Sequence, residues 1–167
     1  EPISAAGAVT GGSGHKPGRG RLPPTASLAG MESGAPIRVG VLGAAGRMGR
    51  AVCRAVDGAD GLVLVAAADP AVVGEDLDGV ADGIVMVAGP TEVVAAGAEV
   101  VVDFTVVDAS RANLPILAEA GVHAVVGTSG LDDDDLAGLR ASFTSSNCVV
   151  VPNFAIGAVL MMRFAEI

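Results

Sequence analysis

Cysteine, positive charge and long apolar runs are all scarce in this chain. Its two cysteines, Cys53 and Cys148, lie far apart and outside any C-x-x-C or histidine cluster, which excludes a disulfide framework and argues against structural zinc. Such usage suits a reducing compartment, and a cytoplasmic location is expected. Lys and Arg total 10 against 19 Asp and Glu, a formal net charge of -9, so no basic face is available for nucleic acid or an anionic membrane. The purely apolar runs span a few residues, where crossing a bilayer takes roughly 18. Apolar residues themselves are plentiful, at 51% of 167 residues against 17% charged, which is enough for a substantial core. The length suits one domain, with or without a tail.

Residues 1–36 are rich in Gly, Ala, Ser and Pro without a sustained apolar period, and they read as a disordered tail. The tail lacks the apolar segment of roughly 7 to 15 residues that a secretory signal requires. Met31 reads as a natural start, which would make the residues before it an artefact of gene-calling. From Ile37 onward, short β-branched runs alternate with helical patterns, the mark of an α/β fold. Strands are expected over 37–42, 62–68, 84–87, 100–104, 123–126 and 148–151. Most are continuously apolar, as parallel strands covered on both faces are. Helices are expected over 47–56, 91–97, 109–120, 132–143 and 156–167, and the Gly- and Asp-rich segment 69–83 reads as loop. The expected architecture is a doubly wound parallel sheet of the Rossmann type in a single domain, residues 37–167, incomplete at its C-terminus.

Helix-end chemistry supports these limits. Asp108 is the candidate N-cap of the 109–120 helix and Gly121 its stop. Asp132, Asp133, Asp134 and Asp135 invite a metal-site reading, but consecutive helical side chains diverge by about 100 degrees. Acidic residues offsetting the helix dipole in a first turn are the better account.

The strongest functional signal is the strand 37–42 followed at once by Gly43, Ala44, Ala45, Gly46, Arg47, Met48 and Gly49. Gly43 permits a sharp turn, Gly46 admits a pyrophosphate to the backbone, and Gly49 allows close helix packing. The helix N-terminus meanwhile aims its free N–H groups at an anion. The spacing is G-x-x-G-x-x-G instead of the commoner G-x-G-x-x-G, and its place after a first strand is what gives it weight. Asp69 ends the second apolar run, about 20 residues on, where an acceptor for the adenosine ribose belongs. The plainer reading is that Asp69 opens a turn with Pro70. A carboxylate there suits NADH and repels a 2′-phosphate, while Arg47 keeps NADPH open.

Three further strand ends carry small, polar or aromatic residues: Phe104 and Thr105; Gly127, Thr128 and Ser129; and Val151, Pro152, Asn153 and Phe154. Ligands of open α/β sheets bind at that edge, and these loops suit a nicotinamide. Taken singly, each is also ordinary turn chemistry.

The four loops together resemble those of the 4-hydroxy-tetrahydrodipicolinate (dihydrodipicolinate) reductases. The carrying motifs are GAAGRMG at Gly43 to Gly49, DFT at Asp103 to Thr105, GTSG at Gly127 to Gly130 where the family usually has GTTG, and PNFAIG at Pro152 to Gly157. The resemblance implies an oxidoreductase of lysine and diaminopimelate biosynthesis that transfers hydride from NADH or NADPH to a cyclic C=N substrate. In that family the first turn holds the pyrophosphate, the residue matching Asp69 binds the ribose, and the GTSG and PNF loops border the nicotinamide. A basic residue often follows the acidic one; Pro70 stands there, so NADH is favoured. Relatives continue into a second domain bearing a catalytic histidine and lysine, bind a dicarboxylate and form homotetramers. Here Lys16, in the tail, is the only lysine, and His123 opens a strand and reads as structural. The chain is thus expected to hold the cofactor-binding half, with no catalytic residue and no activity alone. The competing reading is a non-catalytic Rossmann-type module that binds a nucleotide or CoA or senses redox state.

Overall fold

A computed structural model describes residues 34–77, 81 and 83–151. Most of the expected tail, the helix expected over 156–167, and Pro152, Asn153 and Phe154 lie outside the described residues. The elements are β1 (Ile37–Leu42), α1 (Arg47–Asp57), β2 (Leu62–Ala68), β3 (Met86–Val87) and α2 (Pro90–Ala95), then β4 (Val100–Asp103), α3 (Val107–Glu119), β5 (His123–Val126), α4 (Asp133–Ser142) and β6 (Cys148–Val150). Among the described residues all six strands are parallel, in the order β3-β2-β1-β4-β5-β6. This is the doubly wound arrangement, and its direction of winding reverses between β1 and β4. Among the described residues no helix is long and apolar enough to cross a membrane.

Strand alternation sends side chains to two separate cores. Val39 and Val41 pack with Cys53, Val56, Leu64, Leu77 and Met86. Leu42 and Val101 pack on the opposite face with Val93, Leu114, Leu117 and Val126. Leu114 and Leu117 are fully buried, and each such leucine contributes about 2 kcal/mol by leaving water. Gly40 lies so close under α2 that any Cβ there would collide with Val93. At the opposite end of β1, Arg38 Nε donates to the Gly97 carbonyl at 2.7 Å, tying the strand to the turn after α2.

Two expectations need correction. The strand expected over 84–87 is reduced to Met86–Val87, because the segment before it pairs backward. Asp76 and Val85 form an antiparallel bridge, Leu77 N–H donates to the Ile84 carbonyl, and Met86 N–H to the Glu75 carbonyl. The described residues of the expected loop 69–83 form no strand or helix, yet Leu77 and Ala81 reach the core. Asp108 is not an N-cap: the Val106 carbonyl accepts from Ser110 N–H, so α3 starts at Val107 and Asp108 falls in its first turn. Gly121 does end α3, with φ of 69° and its N–H on the Ala118 carbonyl.

Candidate functional site

The glycine turn runs from the end of β1 into α1 at the winding reversal. Gly43 and Ala44 donate their N–H groups to the Ala68 carbonyl, at 2.9 and 3.1 Å, so the turn is pinned to β2. Gly43 has φ of 73°, and a Cβ on it would lie 2.7 Å from the Phe104 carbonyl oxygen. Both the turn and the neighbouring loop require glycine there. Gly49 is buried against the turn itself: its Cβ would lie 2.7 Å from Ala44 Cα and closer still to the Gly43 carbonyl oxygen. Gly46 caps α1 with no side-chain bond, and the first turn of α1 holds no acidic residue. The first N–H groups of a helix have no acceptor within it, and the helix dipole places partial positive charge there. Gly46, Arg47 and Met48 are exposed, so this end faces solvent.

Asp69 reaches into the same turn from the end of β2. Its Oδ2 accepts from Ala45 N–H at 3.2 Å, while Oδ1 accepts from Ala71 N–H at 3.1 Å and forms the turn with Pro70. The side chain thus forms the turn with Pro70 and also touches the glycine turn. Each carboxylate oxygen has a lone pair left over, enough to accept from a hydroxyl.

The β4 and β5 loops lie side by side on the other flank of Gly43. Phe104 N–H donates to the Leu42 carbonyl at 3.1 Å, continuing the ladder one residue past β4. The Phe104 ring lies over Gly127, where a Cβ would come within 2.7 Å of ring Cδ1 and nearer still to the ring edge. The same two loops hold a polar group whose organising members the sequence reading missed, Asp103 and Ser110, both fully buried. Asp103 Oδ1 accepts from Thr105 N–H at 2.8 Å and from Thr105 Oγ1 at 2.6 Å. Ser110 Oγ donates to Thr128 Oγ1 at 2.8 Å, and Thr128 Oγ1 donates to the Thr105 carbonyl at 3.0 Å. The available signal was a carboxylate ending an apolar strand, the pattern that singled out Asp69. Ser129 is exposed beside Thr128, and Val151 donates its N–H to the Val126 carbonyl beyond β6.

The remaining candidates sit apart. His123 Nδ1 accepts from Asn147 N–H at 2.9 Å, joining β5 to the turn before β6, a structural role. Asp132 and Asp135 form a reciprocal capping box at the start of α4, with Asp133 and Asp134 in its first turn. Arg111 of α3 pairs with Asp135 at 2.8 Å and Asp132 at 3.3 Å. The Arg111 hydrogen bond, followed by that from Asp132 N–H, holds the Asp135 carboxyl at about 2. Burial pushes the Cys53 thiol up to about 11 and raises Cys148 as well. Among the described residues no cluster of His, Cys, Asp and Glu could hold a metal ion.

Residues 37–154 match the family model described as dihydrodipicolinate reductase, N-terminus. The chain is 47% identical over 133 residues to a 4-hydroxy-tetrahydrodipicolinate reductase of Nocardia farcinica, covering 78% of this chain and 47% of that protein. It therefore spans about half the length of the curated relatives it matches. A dipicolinate-bound dihydrodipicolinate reductase from Paenisporosarcina sp. TG-14 superposes with TM-score 0.64 at 32% identity, over 78% of this chain and 52% of that one. A Rex-family repressor superposes with TM-score 0.55 at 12% identity, over 79% and 59%, which shows a shared fold alone.

Proposed function

The chain belongs to the dihydrodipicolinate reductase family, matching its N-terminal part, and on that premise we propose that it is the nucleotide-binding part of a 4-hydroxy-tetrahydrodipicolinate reductase that takes NADH in preference to NADPH. The observation that carries the cofactor reading is the Asp69 carboxylate, 3.2 Å from an amide of the glycine turn. A ribose acceptor and a phosphate seat stand side by side there, as an adenine dinucleotide requires. The residues fit such a ligand: Gly43 and Gly49 keep the turn tight, and the first turn of α1 presents amides without a competing acid. The β4 and β5 loops, with Val151, Pro152, Asn153 and Phe154, would border the nicotinamide.

The bound cofactor would supply the hydride for the cyclic C=N of the substrate, with loss of water to give tetrahydrodipicolinate. The residues of this chain bind and orient it. No lysine lies between positions 37 and 167 to donate the accompanying proton, so the chain alone is expected to bind without turnover. NADH is preferred because Asp69 would face a 2′-phosphate with like charge and Pro70 offers no cation beside it. Calorimetric titration tests this. NADH should bind, NADPH more weakly, and Asp69→Ala should lose about tenfold for NADH, roughly 1.4 kcal/mol. Absence of heat from both dinucleotides would refute the proposal.

A further inference from the structure

Asp103 is a carboxylate with no exposed surface, and all of its donors converge on Oδ1. Its Oδ2 finds no donor among the described residues. A buried carboxylate satisfied on one side is costly, and burial of apolar surface alone gives no reason for it. What the side chain accomplishes is local. It turns the backbone of Thr105 inward, and Thr105 in turn offers its carbonyl to Thr128 across the gap between the β4 and β5 loops. Ser110, from the first turns of α3, donates to Thr128 and lies 3.2 Å from Thr105 Oγ1.

The three hydroxyl protons can be assigned without remainder. Thr105 donates to Asp103, Ser110 to Thr128, and Thr128 to the Thr105 carbonyl. None of these protons is left for a ligand, so the side chains act on the loops themselves. Between the same two loops, Phe104 rests on Gly127, where the fit leaves no room even for a methyl group.

We propose that Asp103 and Ser110 are positioning residues, a clamp that fixes the β4 and β5 loops at the spacing the nicotinamide end of the site needs. The clamp rests on the function proposed above and adds to it a division of labour. The glycine turn and Asp69 hold the adenosine diphosphate half, and the Asp103–Ser110 group acts only on the other half. Paired titrations of the 167-residue chain with NADH and with ADP-ribose, which lacks the nicotinamide, separate the two.

In Ser110→Ala, NADH affinity should fall three- to tenfold while ADP-ribose affinity stays within twofold of wild type. Thr128→Val should behave alike, and Thr128→Ser, which keeps the hydroxyl, should restore the NADH margin. A uniform loss for both ligands in folded variants, or no loss for either, overturns the clamp and leaves the dinucleotide reading standing. A wild-type chain that binds neither ligand overturns both.

Discussion

The same substitution, glycine to alanine, should have opposite effects in two helices of this protein. Gly138 lies inside α4, and a Cβ there would meet nothing within 4 Å. Alanine should therefore stabilise by about 0.7 kcal/mol through lower unfolded-state entropy and better helix propensity. Gly49 lies in the first turn of α1, where a Cβ would sit 2.7 Å from Ala44 Cα. Ordinary contact begins near 3.4 Å, so α1 must retreat by about 0.7 Å from Ala44, and further from the Gly43 carbonyl. The obstructing atoms are backbone and cannot rotate away. Overpacking of this kind costs up to about 3 kcal/mol, of which alanine propensity offsets about 1, leaving a net loss of about 2 kcal/mol. At about 4 °C per kcal/mol for a domain of this size, Gly49→Ala should melt about 8 °C lower and Gly138→Ala about 3 °C higher. Thermal unfolding followed by circular dichroism reads both. Equal or same-signed shifts would refute the argument that contact with the turn dictates glycine at position 49.

Acid stability and thiol chemistry test other parts of the fold. The Asp135 carboxyl is held at about 2 against 3.8 when free, so its contribution is fully present above pH 4 and is lost as pH falls towards 2. Urea midpoints measured from pH 6 to pH 2 should decline over that window, and Arg111→Met should flatten the decline; an unchanged profile in that variant would count against the ion pair. Cys53 is fully buried and its thiol stands at about 11, whereas Cys148 is half-buried. At pH 8 an aromatic disulfide reagent should therefore label Cys148 first and Cys53 only on unfolding, and early labelling of Cys53 would contradict its place in the core.

Sequence reads most clearly where the physics is local. The bounds of β1, β2 and β5 follow from apolar runs that parallel strands need on both faces, and the turn at Gly43 follows from its position after such a run. The approach of Asp69 to the glycine turn was legible because its distance along the chain from the glycines reflects one crossover unit. The parts that were not legible depend on which segments the topology makes neighbours. Leu77 reaches the core only because 75–77 folds back on 84–86. Nothing near Asp108 in sequence reveals that the Val106 carbonyl begins the helix, or that Arg111 draws α3 to Asp132 and Asp135. Asp103 and Thr128 are 25 residues apart and meet because β4 and β5 are adjacent, so the hydroxyl that joins the two loops has no signal in the local sequence.

Two helix starts show how the chain distributes its charge. α4 opens on four consecutive aspartates, and its first amides are already answered by Asp132 and Asp135, at 2.9 Å in each direction. α1 opens on a glycine without a side-chain cap and without one acidic residue in its first turn, although the chain carries 19 carboxylates and a net charge of -9. Helix-end electrostatics favours an anion equally at both places. At α4 the chain supplies that anion itself, whereas at α1 the Asp69 carboxylate engages the Ala45 amide from the β2 side and no side chain caps the helix end. The opening lies where the sheet changes its direction of winding, between β1 and β4, with the loop held by Asp103 on its far side. The separation of the two carboxylates follows from the strand order: Asp69 stands on β2's side of β1 and Asp103 on β4's side, so the fold itself sets them on opposite flanks of a helix end that carries no acidic residue in its first turn.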